Sequence, residues 1–231
     1  MKRKGPMTAE ELMSQLEADP EYRRGLEEKE RERQRRAKVS KRKSRLLLKA
    51  LAKVGARVES IDDLVAQHAP LSREIIDVLH HFLPKVGDHA LEQAIVRSIG
   101  ATRVRYDGRA LAAHFDSSTD SSLKWAIGNT FSVSKPQGIE DWVLGALRKR
   151  EHGRARQMLC IAAARLAPTD ETRETLLDVF EEMPGHAAMG LGLIGGPREA
   201  AFLQSRITGQ KTWVRKEIEK AIRRIERRES E

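Results

Sequence analysis

HAAMGLGLIG, residues 186–195, has a counterpart 32 residues earlier in RARQMLCIAA (154–163), another in SLKWAIGNTF (122–131) and a fourth in ALEQAIVRSI (90–99). Stacked in register, the second column reads Leu91, Leu123, Ala155 and Ala187, and the fifth reads Ala94, Ala126, Met158 and Gly190. The sixth is Ile95, Ile127, Leu159 and Leu191, and the ninth is Ser98, Thr130, Ala162 and Ile194. Positions two, five, six and nine are i, i+3, i+4 and i+7, one face of an α-helix. A fifth copy, TWVRKEIEKAIRRI (212–225), arrives a few residues early and shows the same face in Val214, Ile218, Ala221, Ile222 and Ile225.

Between successive copies there is room for one more helix. ATRVRYDGRALAAHF (101–115), GIEDWVLGALRKR (138–150), TDETRETLLDVFEEM (169–183) and PREAAFLQSRI (197–207) are the candidates. Thr169 is placed to cap the third of these, with acidic residues in its first turn to suit the helix dipole. Gly195 and Gly196 are expected to end one helix in a left-handed conformation, and Pro197 to open the next. A unit of two helices cannot bury its apolar face alone, so such units stack into a continuous core: an α-solenoid. Low aromatic content (4%) and the lack of long β-branched alternation also favour an all-α chain in which strands are essentially absent.

The stretch LGLIGGPREAAFL followed by WVRKEIEKAIRRI resembles a HEAT repeat of the short bacterial kind. The residues that carry the likeness are Ile194-Gly195 at the turn, Pro197 opening the next helix and Val214-Arg215 starting the following one. The likeness extends over about residues 72–229 and degenerates upstream, where Leu91-Glu92 and Leu123-Lys124 stand in place of Val-Arg. It implies a HEAT-like α-solenoid of about five helix pairs, with the second helix of each pair lining a concave side. Upstream, SIDDLVAQHAP and LSREIIDVLHHFLP read as a first, atypical repeat, with Ser60 and Asp63 as a relative of the capping box.

Residues 1–54 form a separate N-terminal helical segment, and residues 55–231 the repeat domain. Thr8 with Glu11 opens a first helix, and Asp19 with Pro20 opens a second that runs to about Val54. Its polar middle is supported by the pairs Glu27–Arg31 and Glu32–Arg36 at i, i+4. Leu46, Leu47, Ala50, Leu51 and Val54 then form an apolar docking face. The net charge of +9 is concentrated here: residues 1–54 hold 17 Lys/Arg against nine Asp/Glu, so residues 55–231 carry only +1. At about 100° per residue, Arg31, Arg35, Lys38, Lys41, Arg42, Arg45, Lys49 and Lys53 share a stripe roughly 33 Å long.

No catalytic constellation is legible. Cys160, the single cysteine, lies in an apolar run and reads as a small buried residue rather than a reactive thiol. His80, His81 and His89 with Asp77 and Asp88 are the one cluster worth weighing as a metal site, but adjacent helical histidines diverge, so no metal site is expected. No cofactor or small-molecule substrate is indicated. The N-terminus has no apolar signal region and no segment reaches membrane-spanning length, so a cytoplasmic protein is expected. Trp142 and Trp213 fit core faces. Trp125 points away from the core face of its copy, with Gly128, Asn129 and Ser132.

The expected function is a non-catalytic interaction scaffold. Its concave face would bind a protein or peptide partner through Gln93, Arg97, Trp125, Asn129 and Gln157. The alternative is a nucleic-acid- or ribosome-associated protein using the basic helix, with Arg35, Lys38, Arg42, Arg45 and Lys49 on phosphates. The helix offers no interleaved aromatics for base stacking, and its charge lies where any docked amphipathic helix must be polar.

Overall fold

Alternating helix starters and stoppers leave little room for anything but helix. In the computed structural model, which describes residues 8–66 and 71–231, the protein is all-α apart from two three-residue strands. The chain divides into two compact units between Arg45 and Leu46.

The first unit holds α1 (Ala9–Ala18) and most of α2 (Pro20–Lys53). Asp19 separates them: its carboxylate accepts from the Glu21 N–H at 2.8 Å, and its carbonyl accepts from the Arg23 N–H at 3.0 Å. With Pro20 in the first position, this is a complete helix start. The helix then runs uninterrupted through Gly25 and carries the expected Glu27–Arg31 pair at 3.7 Å. The side chains of Glu11 and Arg36, invoked in the other two pairings, lie outside the described residues.

The second unit begins with the last turns of α2, where Leu47 and Leu51 are fully buried. Leu46 departs from the expected docking face and is 68% exposed. It precedes Leu47 by one residue, a 100° rotation that points it away from the core. Then come α3 (Asp63–Ala66), α4 (Arg73–Phe82) and a row of helices: α5 (His89–Gly100), α7 (Ser121–Val133), α9 (Gln157–Leu166), α11 (Pro184–Ile194) and α13 (Thr212–Ser230). Each helix of the row packs on the next: α5 on α7, α7 on α9, α9 on α11 and α11 on α13. The intervening helices α6 (Arg109–Ser117), α8 (Glu140–Arg148), α10 (Asp170–Asp178) and α12 (Pro197–Ser205) pack against their neighbours in the row.

The repeat register holds where it matters most. Ile95, Ile127, Leu159 and Leu191, the sixth column, are each 0% exposed. Full burial of such a side chain stabilises by about 1.5–3 kcal/mol relative to leaving it in water. Leu91 and Leu123 are buried as well. The polar ninth-column residues are satisfied inside the core. The Ser98 hydroxyl donates to the Ala94 and Ile61 carbonyls at 2.8 and 3.2 Å, and the Thr130 hydroxyl to the Val96 carbonyl at 2.9 Å. The Thr130 hydroxyl thus ties α7 to α5, and that of Ser98 ties α5 to the segment before α3.

Helix ends follow the sequence in most places. Thr169 accepts from the Thr172 N–H at 3.2 Å, and Asp63 accepts from the Ser60 and Glu59 N–H groups at 2.8 and 3.0 Å. Gly195 and Gly196 differ from expectation. Both are extended, not left-handed (φ −71° and −116°). Space explains Gly195: a Cβ there would meet the Leu191 carbonyl oxygen at 2.7 Å and Glu199 Cβ at 2.9 Å. The carbonyls at this helix end are taken by Arg228 instead, which donates to Gly192 and Gly195 at 2.7 and 2.5 Å.

The expected helix over 101–115 is shorter than its sequence pattern. Arg105–Asp107 form β1, paired in parallel with β2 (Lys135–Gln137), with Tyr106 opposite Pro136. The expectation that strands would be essentially absent is corrected to that extent. The local reason is Tyr106: its ring is buried and its hydroxyl meets the Ser134 Oγ at 2.8 Å, an alternation in–out that a three-residue segment cannot announce in sequence. At Gly108 a Cβ would approach Pro136 Cβ to 2.9 Å, so glycine lets the helix start lie directly against the strand partner.

Candidate functional site

An inner helix of the row, such as α7, has a neighbour on each side and a further helix packed against it, so only a narrow strip stays in water. Along α7 that strip contains Trp125, 40% exposed, half-buried Asn129 and exposed Val133. Gly128 and Ser132, read from sequence as part of the outward face, are buried. At Gly128 the neighbouring α9 comes so close that a Cβ would sit 3.3 Å from Met158 Cβ. The strip continues by register: Gln93, Trp125, Gln157 and Met189 occupy one column, and Arg97, Asn129, Ile161 and Leu193 another.

Two of the five residues expected to line this face are engaged locally. The Gln93 amide donates to the Ser122 Oγ at 3.0 Å and approaches His89 Nε2 at 3.0 Å, while His89 pairs with Asp120 at 2.9 Å. The Leu123 N–H, the Ser122 groups and His89 hold the Asp120 carboxyl below the usual carboxylate range. Arg97 pairs with Asp62 at 3.3 Å. Trp125 has no aromatic or cation–π partner among the described residues, and Gln157 is half-buried.

Further along the same columns lies a groove of about 300 Å³ between α9, α11 and α13. Its apolar wall is Ile161, Met189 and Leu193, and Met189 is 36% exposed. A Cβ at Gly192 would lie 2.9 Å from Ala221 Cα, so two helix backbones meet at the floor with no large side chain between them. The rim is Arg165, Lys220 and Arg224, with Glu217 paired to Lys220 at 2.7 Å. Arg165 also borders a recess of about 450 Å³ at the ends of α7 and β2, with Arg105, Lys135 and Val133, the last 55% exposed. Residue-by-residue reading of the sequence missed this groove. Extending the Trp125 and Asn129 columns by 32 and 64 residues leads to Ile161, Met189 and Leu193.

The other sequence candidates fall elsewhere. Arg35, Lys38, Arg42, Arg45 and Lys49 are all exposed along α2. His80 is half-buried against Tyr106 (ring centroids 5.6 Å apart), His81 is exposed beside Lys85 with Nε2 to Nζ at 2.6 Å, and His89 pairs with Asp120. Three histidines thus have three different surroundings, and among the described residues no group of three or more His, Cys, Asp or Glu is arranged to hold a metal ion. Cys160 is buried, and burial pushes its thiol up to about 12, far from a nucleophile's range. Trp142 is half-buried, edge-on to Phe115 and Phe131, and its indole donates to Asp116 at 2.8 Å. Trp213 does not fill a core face: it is 49% exposed and lies across Gly185 beside His186. It sits at the start of α13, next to buried Val214, and so points off the buried face. Among the described residues no helix is long and apolar enough to cross a membrane.

Comparison of the chain with family models, curated proteins and solved structures finds no match.

Proposed function

We propose that residues 55–231 are a HEAT-like solenoid of helix pairs that works as a non-catalytic scaffold, binding a protein or peptide along the outward strip of the α5–α13 row. The observation that carries this reading is Trp125. A large aromatic side chain, 40% exposed, stands on a regular helical face in register with an exposed Met189 and an apolar groove. Aromatic side chains in such positions dominate interface energetics. Trp125→Ala is expected to weaken capture of a purified partner by about 30-fold or more, equivalent to roughly 2 kcal/mol. The melting temperature should fall by less than for a fully buried tryptophan, since Trp125 is 40% exposed. Unchanged affinity together with a large loss of thermal stability would show ordinary packing and sink the reading.

The exposed basic residues of α2 support a second reading, association with nucleic acid. Arg35, Lys38, Arg42, Arg45 and Lys49 have no ion-pair partner among the described residues. Their contacts would be to phosphate, sensitive to salt and indifferent to sequence.

A further inference from the structure

We infer that the α9–α11–α13 groove takes an acidic peptide segment, one that places an apolar side chain between Ile161, Met189 and Leu193 and sets carboxylates against Arg165 and Arg224; this rests on the scaffold reading and names the chemistry of its partner. Partnered and unpartnered arginines occur side by side in this unit. Arg97, Arg109, Arg148, Arg150, Arg156 and Arg198 each pair with an Asp or Glu, and so do Arg173 and Arg206. Arg165 and Arg224, with Arg105 and Lys135 in the adjoining recess, have no carboxylate or hydrogen-bond partner among the described residues. Arg57, Arg73, Arg103, Arg154 and Arg223, elsewhere on the unit, also lack such a partner among the described residues, so what marks the groove is the gathering of its cations.

The charge is also out of proportion to its surroundings. Residues 55–231 carry a net charge of only +1. Along the groove and recess there are five cations, Arg105, Lys135, Arg165, Lys220 and Arg224, against Glu140 and Glu217. Glu217 is already neutralised by Lys220 at 2.7 Å. Positive charge is therefore gathered beside exposed Met189 and half-buried Leu193, and of these cations only Lys220, on Glu217, and Arg165, in the last turn of α9, have a local electrostatic role. Guanidinium groups match carboxylates in a planar, two-point geometry. An apolar wall flanked by such groups selects a segment that is both acidic and apolar, since charge complementarity steers the encounter and the buried side chain supplies affinity.

The test is selection of a displayed library of random twelve-residue peptides on the full chain, on Arg165→Glu/Arg224→Glu and on Trp125→Ala. Both arginines are exposed, so the double variant should keep its helix content and melting temperature. Native protein is expected to enrich peptides with Asp or Glu flanking Leu, Met or Phe. An enriched peptide synthesised with a fluorophore should lose at least about tenfold in affinity on the double variant, and more at low salt than at high salt. The double variant should itself enrich basic peptides, a reversal that misfolding cannot produce. Enrichment without acidic bias, acidic bias that survives the charge reversal, or no enrichment on the native chain would each overturn the inference. So would a labelled single-stranded RNA that binds the native chain and is lost on the double variant, since the groove would then be a phosphate site. Loss of binding confined to Trp125→Ala keeps the scaffold reading and removes this one.

Discussion

Replacing Glu182 by Ala should destabilise the second unit by about 3 kcal/mol, because it leaves a buried guanidinium with too few acceptors. Arg156 is only 2% exposed, at the end of the short 3₁₀ segment Arg150–Arg156 that leads into α9. Its Nε donates to the Gly153 carbonyl at 3.2 Å and its Nη1 to the Leu147 carbonyl at 2.8 Å. Its Nη2 pairs with Glu182, which also accepts from Arg150 Nε at 3.0 Å. Without Glu182 the cation keeps two neutral carbonyls and loses its one counter-charge. Breaking a buried pair costs about 3–5 kcal/mol; the 35% exposure of the Glu182 side chain lets water replace part of the loss and places the cost at the low end. For a unit of this size that is a fall of roughly 6–12 °C in melting temperature. Glu182→Gln keeps an acceptor and should cost about half as much. Arg156→Met removes the buried charge itself and strands only the Leu147 and Gly153 carbonyls, at about 2 kcal/mol. In the Arg156→Met background, Glu182→Ala should then cost under about 1 kcal/mol. Urea unfolding of the four proteins of this double-mutant cycle gives the coupling directly. Equal cost of Glu182→Ala with and without Arg156 would refute the argument.

Stability should also depend on pH through two histidines. Burial lowers the pKa of His80, against the opposing pull of Asp77 and Asp107, and lowers that of His186 against Glu217. His80 Nε2 and His186 Nδ1 are buried without a hydrogen-bond partner among the described residues. The folded pKa lies below the unfolded one, so the unfolded chain takes up protons first as pH falls. Stability from these groups is complete above the unfolded pKa of about 6.5 and drains away as pH drops through it towards the folded values. Melting temperatures measured between pH 7.5 and 5.5 should fall, with a shallower slope in His80→Phe; a flat profile would contradict the burial argument. Changing Arg35, Lys38, Arg42, Arg45 and Lys49 to Gln should leave the helix intact by circular dichroism, because Gln is nearly as good a helix former. The native chain is expected to bind duplex DNA weakly at low salt and to release it near 150 mM, and the five changes to abolish even that. Tight binding at 150 mM salt that the changes remove would promote the nucleic-acid reading over the scaffold.

The sequence by itself determined the helices, their order and the buried column Ile95, Ile127, Leu159 and Leu191, because helical periodicity and caps are local properties written in neighbouring residues. It also announced Trp125 as a side chain turned from the core. Three other features could be settled only by the fold. Gly128 and Ser132 are buried, with Met158 of α9 against Gly128; Tyr106 sits in a strand beside Pro136; and Gly195 is extended where Leu191, Glu199 and, from α13, Ile225 crowd it. Nothing local distinguishes Arg156 from the other cations of RKREHGRAR (148–156), yet tertiary packing takes it out of water and commits it to Glu182. The groove depends on the same physics. Arg165 and Arg224 lie in separate copies of the repeat, and only the packing of α9, α11 and α13 sets them on one rim, beside apolar residues and without carboxylates to neutralise them.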